Sequence, residues 1–360
     1  MPRPIMLSIV GDSGSGKTTI TRGVVRVLGE DKVTHFCADD YHRYDRRQRA
    51  ERGITPLDPE CNYVDVLTCD VRHLRQNEAI LKPVYQHSNG TFGPPVYMTP
   101  ARFVIAEGLL ANHTAELRDM FDIRVYLNPP EELRRRWKVA RDCSRRGYST
   151  DQVLSELDRR EHDSEAFIRP QRHHADMVIS FRPGSTPDPD HLDAHLFLRD
   201  TLPLPDLAEV VGDGSAGDLR LTEQPGEQEL CIPGTITPER AAELEEAIWD
   251  RMHFASHLRK QRLGEFTIGS DLHRSDPLAL TQLLLLHHLV TARAVIALGG
   301  QSTRSNGHPA LEPEPVSATS ACLGTGQQGA CRHPRPALDD RAAGSPAEMS
   351  SGYSGACLTG

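Results

Sequence analysis

The sequence is poor in aromatic residues and cysteines, and it has no excess of positive charge. Aromatic residues make up 5% of the 360 positions, and 41 basic residues stand against 50 acidic ones, which gives a net charge of −9. A negative net charge gives no reason to expect binding to nucleic acid. The eight cysteines include no CxxC or CxxH pair with zinc-ligand spacing and are too few for a disulfide framework. We therefore expect reduced thiols with mostly structural roles.

Long apolar runs are also missing. We find no run that approaches the roughly 18 to 20 apolar residues needed to span a bilayer. Residues 1–10 lack the zones of a secretory signal. The leucines from Leu283 to Leu286 indicate a buried helix or a subunit contact. Together these features predict a cytoplasmic protein with no membrane partner.

Over residues 5–182 the sequence alternates short β-branched runs with stretches that suit helices. This pattern predicts an α/β fold with a mainly parallel sheet covered by helices on both faces. Ligands of such sheets bind beyond the carboxyl ends of the strands, so the polar residues that follow the strands are candidates for a site. The predicted strands are Ile5–Val10, Val33–Ala38, Phe103–Ala106, Ile123–Leu127 and Met177–Phe181.

The pattern changes twice after the first strands. Residues 128–162 predict a helical hairpin, in which Asn128 caps the first helix, Gly147 ends it, and Ser149 with Gln152 forms a capping box for the second. We divide the chain into a core of residues 1–182, which includes this hairpin, and an additional α+β region of residues 183–300 that completes the domain. Residues 301–360 are rich in Ala, Gly, Ser and Pro, which predicts a disordered tail.

The segment from Gly11 to Thr18 fits the pattern GxxxxGK[ST], between a predicted strand and a helix. In this motif backbone N–H groups surround phosphate oxygens, Lys17 reaches the β and γ phosphates, and the Thr18 hydroxyl binds Mg²⁺. The motif predicts a P-loop NTPase type of fold with ATP and Mg²⁺ as ligands. The candidate ATP-binding residues are Gly11, Asp12, Ser13, Gly14, Ser15, Gly16, Lys17, Thr18 and Thr19.

Carboxylates follow two further strands. Glu107 comes after the third predicted strand, where P-loop enzymes place an acidic group near the metal, so we predict Thr18 and Glu107 as metal ligands. Asp39 and Asp40 end the second strand, close to the place where an acceptor hydroxyl must meet the γ-phosphate.

Several ordered motifs follow the second predicted strand. They are Asp39-Asp40-Tyr41-His42, Asp45-Arg46 with Arg49, Lys82-Pro83-Val84-Tyr85-Gln86-His87, Trp137-Lys138-Val139-Ala140-Arg141-Asp142 and Arg146-Gly147-Tyr148. Together they resemble phosphoribulokinases, especially the plant and cyanobacterial type within the phosphoribulokinase and uridine kinase family. The resemblance covers roughly residues 5–182 and continues weakly through residues 242–262.

The resemblance implies a kinase that moves the γ-phosphoryl of ATP to the 1-hydroxyl of D-ribulose 5-phosphate, as in the Calvin cycle. It implies Asp39 as the general base and Asp142 as a second carboxylate that orients Mg²⁺ or the substrate. Lys138 and Arg141 share one helix face with Asp142, and with Lys17 they would stabilise the transferring phosphoryl under a mobile lid. It also implies a homodimer or a higher homo-oligomer. The substrate-binding residues that it suggests are His42, Arg46, Arg49, Tyr85, His87 and Arg146.

The sequence departs from the plant-type pattern at the cysteines. Ser15 stands where that type has a cysteine in the P-loop, while Cys37 keeps the position of its partner. Cys231 aligns loosely with a carboxyl-terminal cysteine of the family but has no partner a few residues upstream. We therefore predict no dithiol control by thioredoxin.

Another departure concerns the acceptor. Leu110 and Ala111 follow Glu107-Gly108-Leu109. Phosphoribulokinases usually have a histidine at this point of the chain, whereas Leu110-Ala111 is closer to what uridine kinases carry. Two alternatives therefore stay open, a uridine kinase-like nucleoside kinase and a non-catalytic ATP-binding regulator. Arg46 and Arg49 favour a sugar phosphate, because an uncharged nucleoside does not need them.

Overall fold

One large sheet forms the centre of the computed structural model, which describes residues 2–184, 191–211, 219–252, 258–268 and 271–304. Its strands and those of two smaller sheets are β1 (Ile5–Gly11), β2 (Val33–Cys37), β3 (Ile80–Gln86), β4 (Thr91–Met98), β5 (Phe103–Gly108), β6 (Ile123–Leu127), β7 (Met177–Pro183), β8 (Leu192–Arg199), β9 (Arg220–Gln224), β10 (Glu227–Ile232), β11 (Glu265–Ile268) and β12 (Asp271–Arg274). The large sheet has the order β2-β5-β1-β6-β7-β8-β10-β9, while β3 pairs with β4 and β11 with β12.

The large sheet has a parallel and an antiparallel part. Strands β2, β5, β1, β6 and β7 are parallel neighbours, so the residues that follow β1, β2 and β5 meet at one edge. These five strands confirm the predicted strands and the mainly parallel fold class. Strands β8, β10 and β9 continue the same sheet in antiparallel pairs.

Helices cover both faces of the sheet. In the described residues they are α1 (Lys17–Leu28), α2 (Arg46–Arg52), α3 (Val64–Arg75), α4 (Ala115–Arg118), α5 (Glu131–Arg146), α6 (Thr150–Arg159), α7 (Glu161–Asp163), α8 (Leu207–Val211), α9 (Pro238–Asp250) and α10 (Asp276–Ala297). Alternate residues of the fully buried β1 point to opposite faces. Leu7 packs in the hydrophobic cluster that includes α1 and α10, and Met6 packs in the one that includes α3.

The predicted helical hairpin is confirmed as α5 and α6, with one correction. Gly147 ends α5 in the left-handed conformation, and the side chains of Ser149 and Gln152 form the capping box that starts α6. Asn128 does not cap α5, because the helix starts at Glu131 after Pro130, without a side-chain cap. The backbone N–H of Asn128 instead donates to the carbonyl of Ile179, which extends the pairing of β6 with β7.

Helix α10 is a core helix. By length and composition it could cross a membrane, whereas no segment of this kind was expected from the sequence. However, 78% of its most apolar window is buried inside the protein. It packs against α9, α1 and β8. A leucine-rich helix surrounded by protein in this way forms part of the hydrophobic core.

The end of the described chain is attached to the sheet. Arg304 makes two hydrogen bonds, at 2.7 and 2.6 Å, to the carboxylate of Asp176, just before β7. Arg3 also donates to the backbone carbonyl of Gln301 at 2.7 Å. Residues 305–360, which make up most of the predicted disordered tail, lie outside the described residues.

Candidate active site

The loop between β1 and α1 is shaped to bind phosphate. Gly14 and Gly16 lie in the left-handed region, with φ of 89° and 94°, a conformation that glycine adopts without a steric penalty. A Cβ at Gly14 would lie 3.0 Å from the Cβ of Lys138, so α5 packs directly against the loop. No side chain caps the start of α1, which favours an anion at its backbone N–H groups.

The predicted ATP-binding residues, Gly11 to Thr19, all lie in this loop or in the first turn of α1. Asp12 is buried and accepts a hydrogen bond from the Ser164 hydroxyl at 2.5 Å. Ser15 is also buried, and its hydroxyl has no hydrogen-bond partner among the described residues. Thr18 and Thr19 are exposed. The loop is therefore held at its base and accessible at the start of the helix.

Glu107, at the end of β5, lies beside the start of α1. Its carboxylate accepts hydrogen bonds from the hydroxyls of Thr18 at 3.2 Å and Thr21 at 2.8 Å. Burial acts to raise the pKa of Glu107, but the hydrogen bonds from His35 and Thr21 and the charge of Lys17 hold this pKa below its ordinary value. Glu107 is therefore ionised at neutral pH, and with Thr18 it offers the oxygen ligands that Mg²⁺ prefers.

Lys17 links the loop to both candidate carboxylates. Its Nζ donates to the backbone carbonyls of Gly11 at 2.7 Å and Asp12 at 2.9 Å. Burial lowers the pKa of Lys17, while the charges of Asp39 and Glu107 act to raise it. Both carboxylates are therefore electrostatic neighbours of the P-loop lysine.

Asp39 and Asp40 share one turn after β2 but have different partners. Asp39 Oδ1 accepts the backbone N–H of Leu109 at 2.9 Å, which places Asp39 beside the end of β5. Asp40 forms an ion pair with Lys82 and accepts the backbone N–H of Tyr85 at 2.9 Å. Both oxygens of Asp40 therefore hold β3, whereas the hydrogen bonds of Asp39 to described residues use only Oδ1.

The predicted acceptor-binding residues meet around Tyr85 on β3. The rings of His42 and His87 contact the Tyr85 ring edge-on, with centroids 4.8 and 5.0 Å away. Arg49 is buried and donates to the Tyr85 hydroxyl at 2.6 Å, whereas Arg46 is exposed and donates to the carbonyl of His87 at 2.6 Å. Burial lowers the pKa of His42 to about 4, so its imidazole is neutral at neutral pH.

The cations of α5 converge on Asp142. Lys138 Nζ donates to Asp142 Oδ2 at 2.6 Å, and Arg141 Nε donates to Oδ1 at 2.9 Å. Arg146 Nη1 lies 3.6 Å from the same Oδ1. Burial lowers the pKa of Lys138 to about 8. Burial acts to raise the pKa of Asp142, but the hydrogen bonds from Arg141 and Lys138 hold it below its ordinary value.

His87 lies within electrostatic range of both Asp39 and the arginines of α5. Loss of hydration lowers the pKa of His87, the charge of Asp39 acts to raise it, and the charges of Arg146 and Arg141 act to lower it further. Such interactions weaken steeply with distance in a hydrated protein. Arg146, the remaining predicted acceptor residue, is therefore an electrostatic neighbour of His87, as Asp39 is.

Some residues around the P-loop are missing from the sequence-based prediction. Arg134 donates to the carbonyl of Ser13 at 2.8 Å, and Ser164 binds Asp12. Neither residue belongs to a recognisable motif. The one signal is that Arg134 lies four residues before Lys138, on the same helix face. These residues help to line a small cavity beside the P-loop and the helical hairpin of α5 and α6, formed by Asp12, Ser13, Leu57, Arg134, Leu157, Arg160, Glu161 and Ser164.

Leu110, the residue that departs from the phosphoribulokinase pattern, is buried. It packs in an apolar cluster with Leu57, Leu109 and Ile168. Its side chain therefore contributes to the packing beneath the site, between the end of β5 and the turn that follows α7.

The first strand of the parallel sheet leads into a phosphate-binding loop. A buried carboxylate lies beside this loop, and a cationic helix packs against it. Together these features define a P-loop kinase. Residues 6–186 match the family described as "Phosphoribulokinase / Uridine kinase family". The chain belongs to this family.

Similar proteins come from both branches of the family. The phosphoribulokinase of Synechocystis sp. is 36% identical over 183 residues, which cover 51% of this chain and 55% of that protein. The chloroplastic phosphoribulokinase of Triticum aestivum is 33% identical over 198 residues, covering 50% and 49%. The chain thus spans about half the length of these relatives. A uridine kinase of Chlamydia pneumoniae is 31% identical over 182 residues, covering 49% of this chain and 81% of that protein.

A solved structure shows the same fold. The phosphoribulokinase from Rhodobacter spheroides aligns with a TM-score of 0.52 at 18% sequence identity, covering 69% of this chain and 97% of that chain. At this identity the likeness concerns the fold alone. The fold class predicted from the sequence agrees with it.

Proposed function

We propose that this P-loop kinase is a phosphoribulokinase, which transfers the γ-phosphoryl of ATP to the 1-hydroxyl of D-ribulose 5-phosphate and releases ADP and ribulose 1,5-bisphosphate. The observation that carries the proposal is the buried guanidinium of Arg49. It donates hydrogen bonds to the Tyr85 hydroxyl and to the carbonyl of Tyr44, and it lies over the Tyr85 ring. Among the described residues, no carboxylate lies within ion-pair distance of it.

A buried cation without a carboxylate favours an anionic ligand. The acceptor of the proposed reaction carries such an anion, its 5-phosphate, and arginine binds phosphate with a planar pair of donors. Arg46, which donates to the carbonyl of His87, and Arg146, whose charge acts on His87, would share this role. An uncharged nucleoside gives Arg49 no such partner.

The proposed chemistry uses the carboxylate of Asp39 as the base. A sugar hydroxyl is a weak nucleophile, and Asp39 would accept its proton as the new bond to phosphorus forms. Lys17, Lys138 and Arg141 would face the negative charge of the transferring phosphoryl. Asp142 holds the last two side chains in place through the hydrogen bonds described above.

Mg²⁺ suits the residues beside the loop. The Thr18 hydroxyl and the Glu107 carboxylate lie 3.2 Å apart, both are oxygen ligands, and Glu107 is kept ionised. When bound there with ATP, Mg²⁺ would neutralise charge on the phosphates.

We also propose that the enzyme works without thioredoxin control. Ser15 carries a hydroxyl where a P-loop disulfide would need a thiol, and Cys37 is a free cysteine. A thiol reductant should therefore leave the activity unchanged. A change in activity that Cys37→Ser abolishes would contradict this proposal.

The test is ADP release with Mg²⁺-ATP and four acceptors, namely ribulose 5-phosphate, ribose 5-phosphate, uridine and cytidine. We expect turnover with ribulose 5-phosphate alone. Arg49→Ala should raise the KM for this acceptor at least about tenfold, the scale of one lost charge-assisted hydrogen bond. Arg47→Ala is the matched control, because Arg47 is exposed and pairs only with Glu51 among the described residues.

A nucleoside kinase is the second candidate. It is favoured by the apolar Leu110 and by the match that covers 81% of the Chlamydia pneumoniae uridine kinase. Turnover with uridine, combined with an unchanged KM in Arg49→Ala, would select it over the phosphoribulokinase. ATP binding without turnover of any acceptor would favour the non-catalytic regulator.

A further inference from the structure

The antiparallel part of the sheet brings together side chains that the proposed reaction does not use. Strands β8 and β10 pair so that Cys231 lies directly opposite His195. Asp193 lies two residues before His195, and alternation along a strand puts both on the same face. The intervening Ala194 is fully buried in the hydrophobic core. Asp193, His195 and Cys231 therefore form one cluster on the face opposite that core.

The distances within this cluster suit a small metal ion. Nε2 of His195 lies 3.7 Å from Sγ of Cys231, and one ligand atom from each of the three residues lies within 4.8 Å of the others. A tetrahedral Zn²⁺ with bonds of about 2.0 Å to nitrogen and about 2.3 Å to sulfur holds these two atoms roughly 3.5 Å apart. The histidine and the cysteine are therefore already close to ligand spacing.

Neighbouring groups form hydrogen bonds with two of these side chains, as groups around the ligands of a metal usually do. Glu229 Oε1 lies 2.9 Å from His195 Nδ1, which leaves Nε2 turned toward the cysteine. The backbone N–H of Gly234 donates to Asp193 Oδ1 at 2.7 Å. Histidine ligands of metals usually donate their second ring N–H to a carboxylate, and ligating carboxylates are themselves hydrogen-bonded.

Two arginines lie near the cluster and leave room for a cation. Arg220 Nη2 lies 3.8 Å from Cys231 Sγ, but the residue is exposed, so its side chain can move into solvent. Arg182 is the register neighbour of Asp193, yet its Nε donates to Ser180 Oγ at 3.0 Å and its guanidinium lies over the ring of Phe197. Arg182 is therefore held by other groups than Asp193.

We propose that Asp193, His195 and Cys231 bind one Zn²⁺ ion that links β8 to β10, separate from the Mg²⁺-ATP site. A thiolate with an imidazole and a carboxylate is typical of Zn²⁺, whereas Mg²⁺ and Ca²⁺ take oxygen ligands. Water supplies the fourth ligand. The ion stabilises the antiparallel part of the sheet, because it joins ligands that the unfolded chain does not hold together.

The test uses Co²⁺ as a spectroscopic substitute for Zn²⁺ on the full chain. We expect one Co²⁺ per chain, with the visible absorption of a tetrahedral site and a thiolate-to-metal band in the near ultraviolet, both removed by added Zn²⁺. Cys231→Ser should abolish the thiolate band. Glu229→Gln should keep the spectrum and weaken binding by roughly 10- to 100-fold, the usual effect of losing an outer partner.

Cys69→Ser is the matched control, because Cys69 is an exposed thiol outside the cluster, and it should leave the spectrum unchanged. Zn²⁺ should raise the melting temperature of the wild-type chain and of Asp39→Asn equally, and should leave that of Cys231→Ser unchanged. Circular dichroism checks that the variants are folded. If Cys231→Ser does not fold, Glu229→Gln supplies the test. Any one of three results overturns the proposal. They are an unchanged thiolate band in Cys231→Ser, an unchanged affinity for Co²⁺ in Glu229→Gln, and no saturable Co²⁺ binding by the wild-type chain.

Discussion

At the scale of single residues, Asp39 is the side chain on which the proposed reaction depends most. Asparagine preserves its size and can still accept the backbone N–H of Leu109, but it cannot take a proton from the acceptor hydroxyl. We expect Asp39→Asn to lower kcat by at least about a hundredfold, the usual scale for a general base. Affinity for ATP should be unchanged. Steady-state ADP release and a nucleotide titration measure the two effects.

Asp65→Asn is the control for this substitution, because Asp65 is exposed at the start of α3. It should retain wild-type kcat. If Asp39→Asn also retained a kcat near that of the wild type, Asp39 would not be the base.

Lys138 predicts how the activity depends on pH. Its pKa of about 8 means that it loses its proton, and its positive charge beside the P-loop, as the pH rises through that value. We therefore expect kcat/KM for ATP, which reports groups of the free enzyme, to fall above about pH 8 with the titration of one group. Lys138→Arg should remove this decline, because arginine stays protonated. The measurement is kcat/KM for ATP against pH.

Lys32→Arg is the control for the pH profile, because Lys32 lies at the opposite end of α1 from the P-loop. It should show the wild-type decline. A decline that persists in Lys138→Arg would assign the titration to another group.

The candidate site was predictable where its residues are close in sequence. The P-loop is contiguous, and Lys138, Arg141 and Asp142 share a helix face, so spacing alone groups each set. Arg134 and Ser164 were missed, because an arginine in a basic helix and a serine in a turn carry no local signal. The division of work between Asp39 and Asp40 also depends on partners far along the chain, Leu109 for one and Lys82 for the other.

At the scale of elements, the contact between the P-loop and α5 predicts the effect of a small substitution. An alanine at Gly14 would be strained at φ 89°, and its Cβ would lie 3.0 Å from that of Lys138. We expect Gly14→Ala to push α5 away from the loop and to raise the KM for ATP at least about tenfold, which corresponds to about 1.4 kcal/mol of lost binding. ATP titration of the folded variant measures this effect.

Gly53→Ala is the matched control for the loop. Gly53 has φ +67° and open space around its Cβ position, so it has similar backbone strain without the contact to α5. Both substitutions should lower the melting temperature, but Gly53→Ala should leave the KM for ATP unchanged. An equal rise of KM in both variants would show that the contact to Lys138 does not matter.

The elements themselves were predictable to different degrees. The five parallel strands are short β-branched runs, and burial on both faces makes them easy to recognise. The cap at Asn128 was predicted wrongly, because two prolines separate it from the first helical residue, Glu131, and its backbone N–H pairs with β7. Strands β8 to β10 were not predicted individually, because one of their faces is polar and carries His195, Glu229 and other charged residues.

At the scale of the whole molecule, long-range pairing decides what a local pattern cannot. The sequence contains no CxxC or CxxH pair, yet pairing of β8 with β10 brings Cys231 opposite His195. Similarly, α10 has the length and hydropathy of a membrane span, and its packing against α9 and the sheet confirms the buried helix expected at Leu283 to Leu286. Local spacing predicted the parallel core and the phosphate loop because both depend on neighbours in sequence.

The buried histidines predict how the stability of the whole chain depends on pH. Burial lowers the pKa of His42 to about 4 and that of His288 to about 3, from an ordinary value of 6.5. Between pH 6.5 and these values the unfolded chain binds more protons than the folded one, so the free energy of unfolding falls as the pH decreases. In this pH range each such histidine lowers the free energy of unfolding by about 1.4 kcal/mol for each unit by which the pH falls.

His288→Leu tests this prediction, because His288 lies in the leucine-rich α10 and is 4% exposed. Leucine cannot gain a proton, so the variant should lose about 1 to 2 kcal/mol less stability than the wild type on going from about pH 7.5 to pH 5. Chemical denaturation at the two pH values gives the comparison. His273→Leu, at an exposed position on β12, should lose as much stability as the wild type. If His288→Leu lost as much stability as the wild type, His288 would have to be protonated in the folded core at pH 5. Burial would then not lower its pKa, which would contradict the prediction.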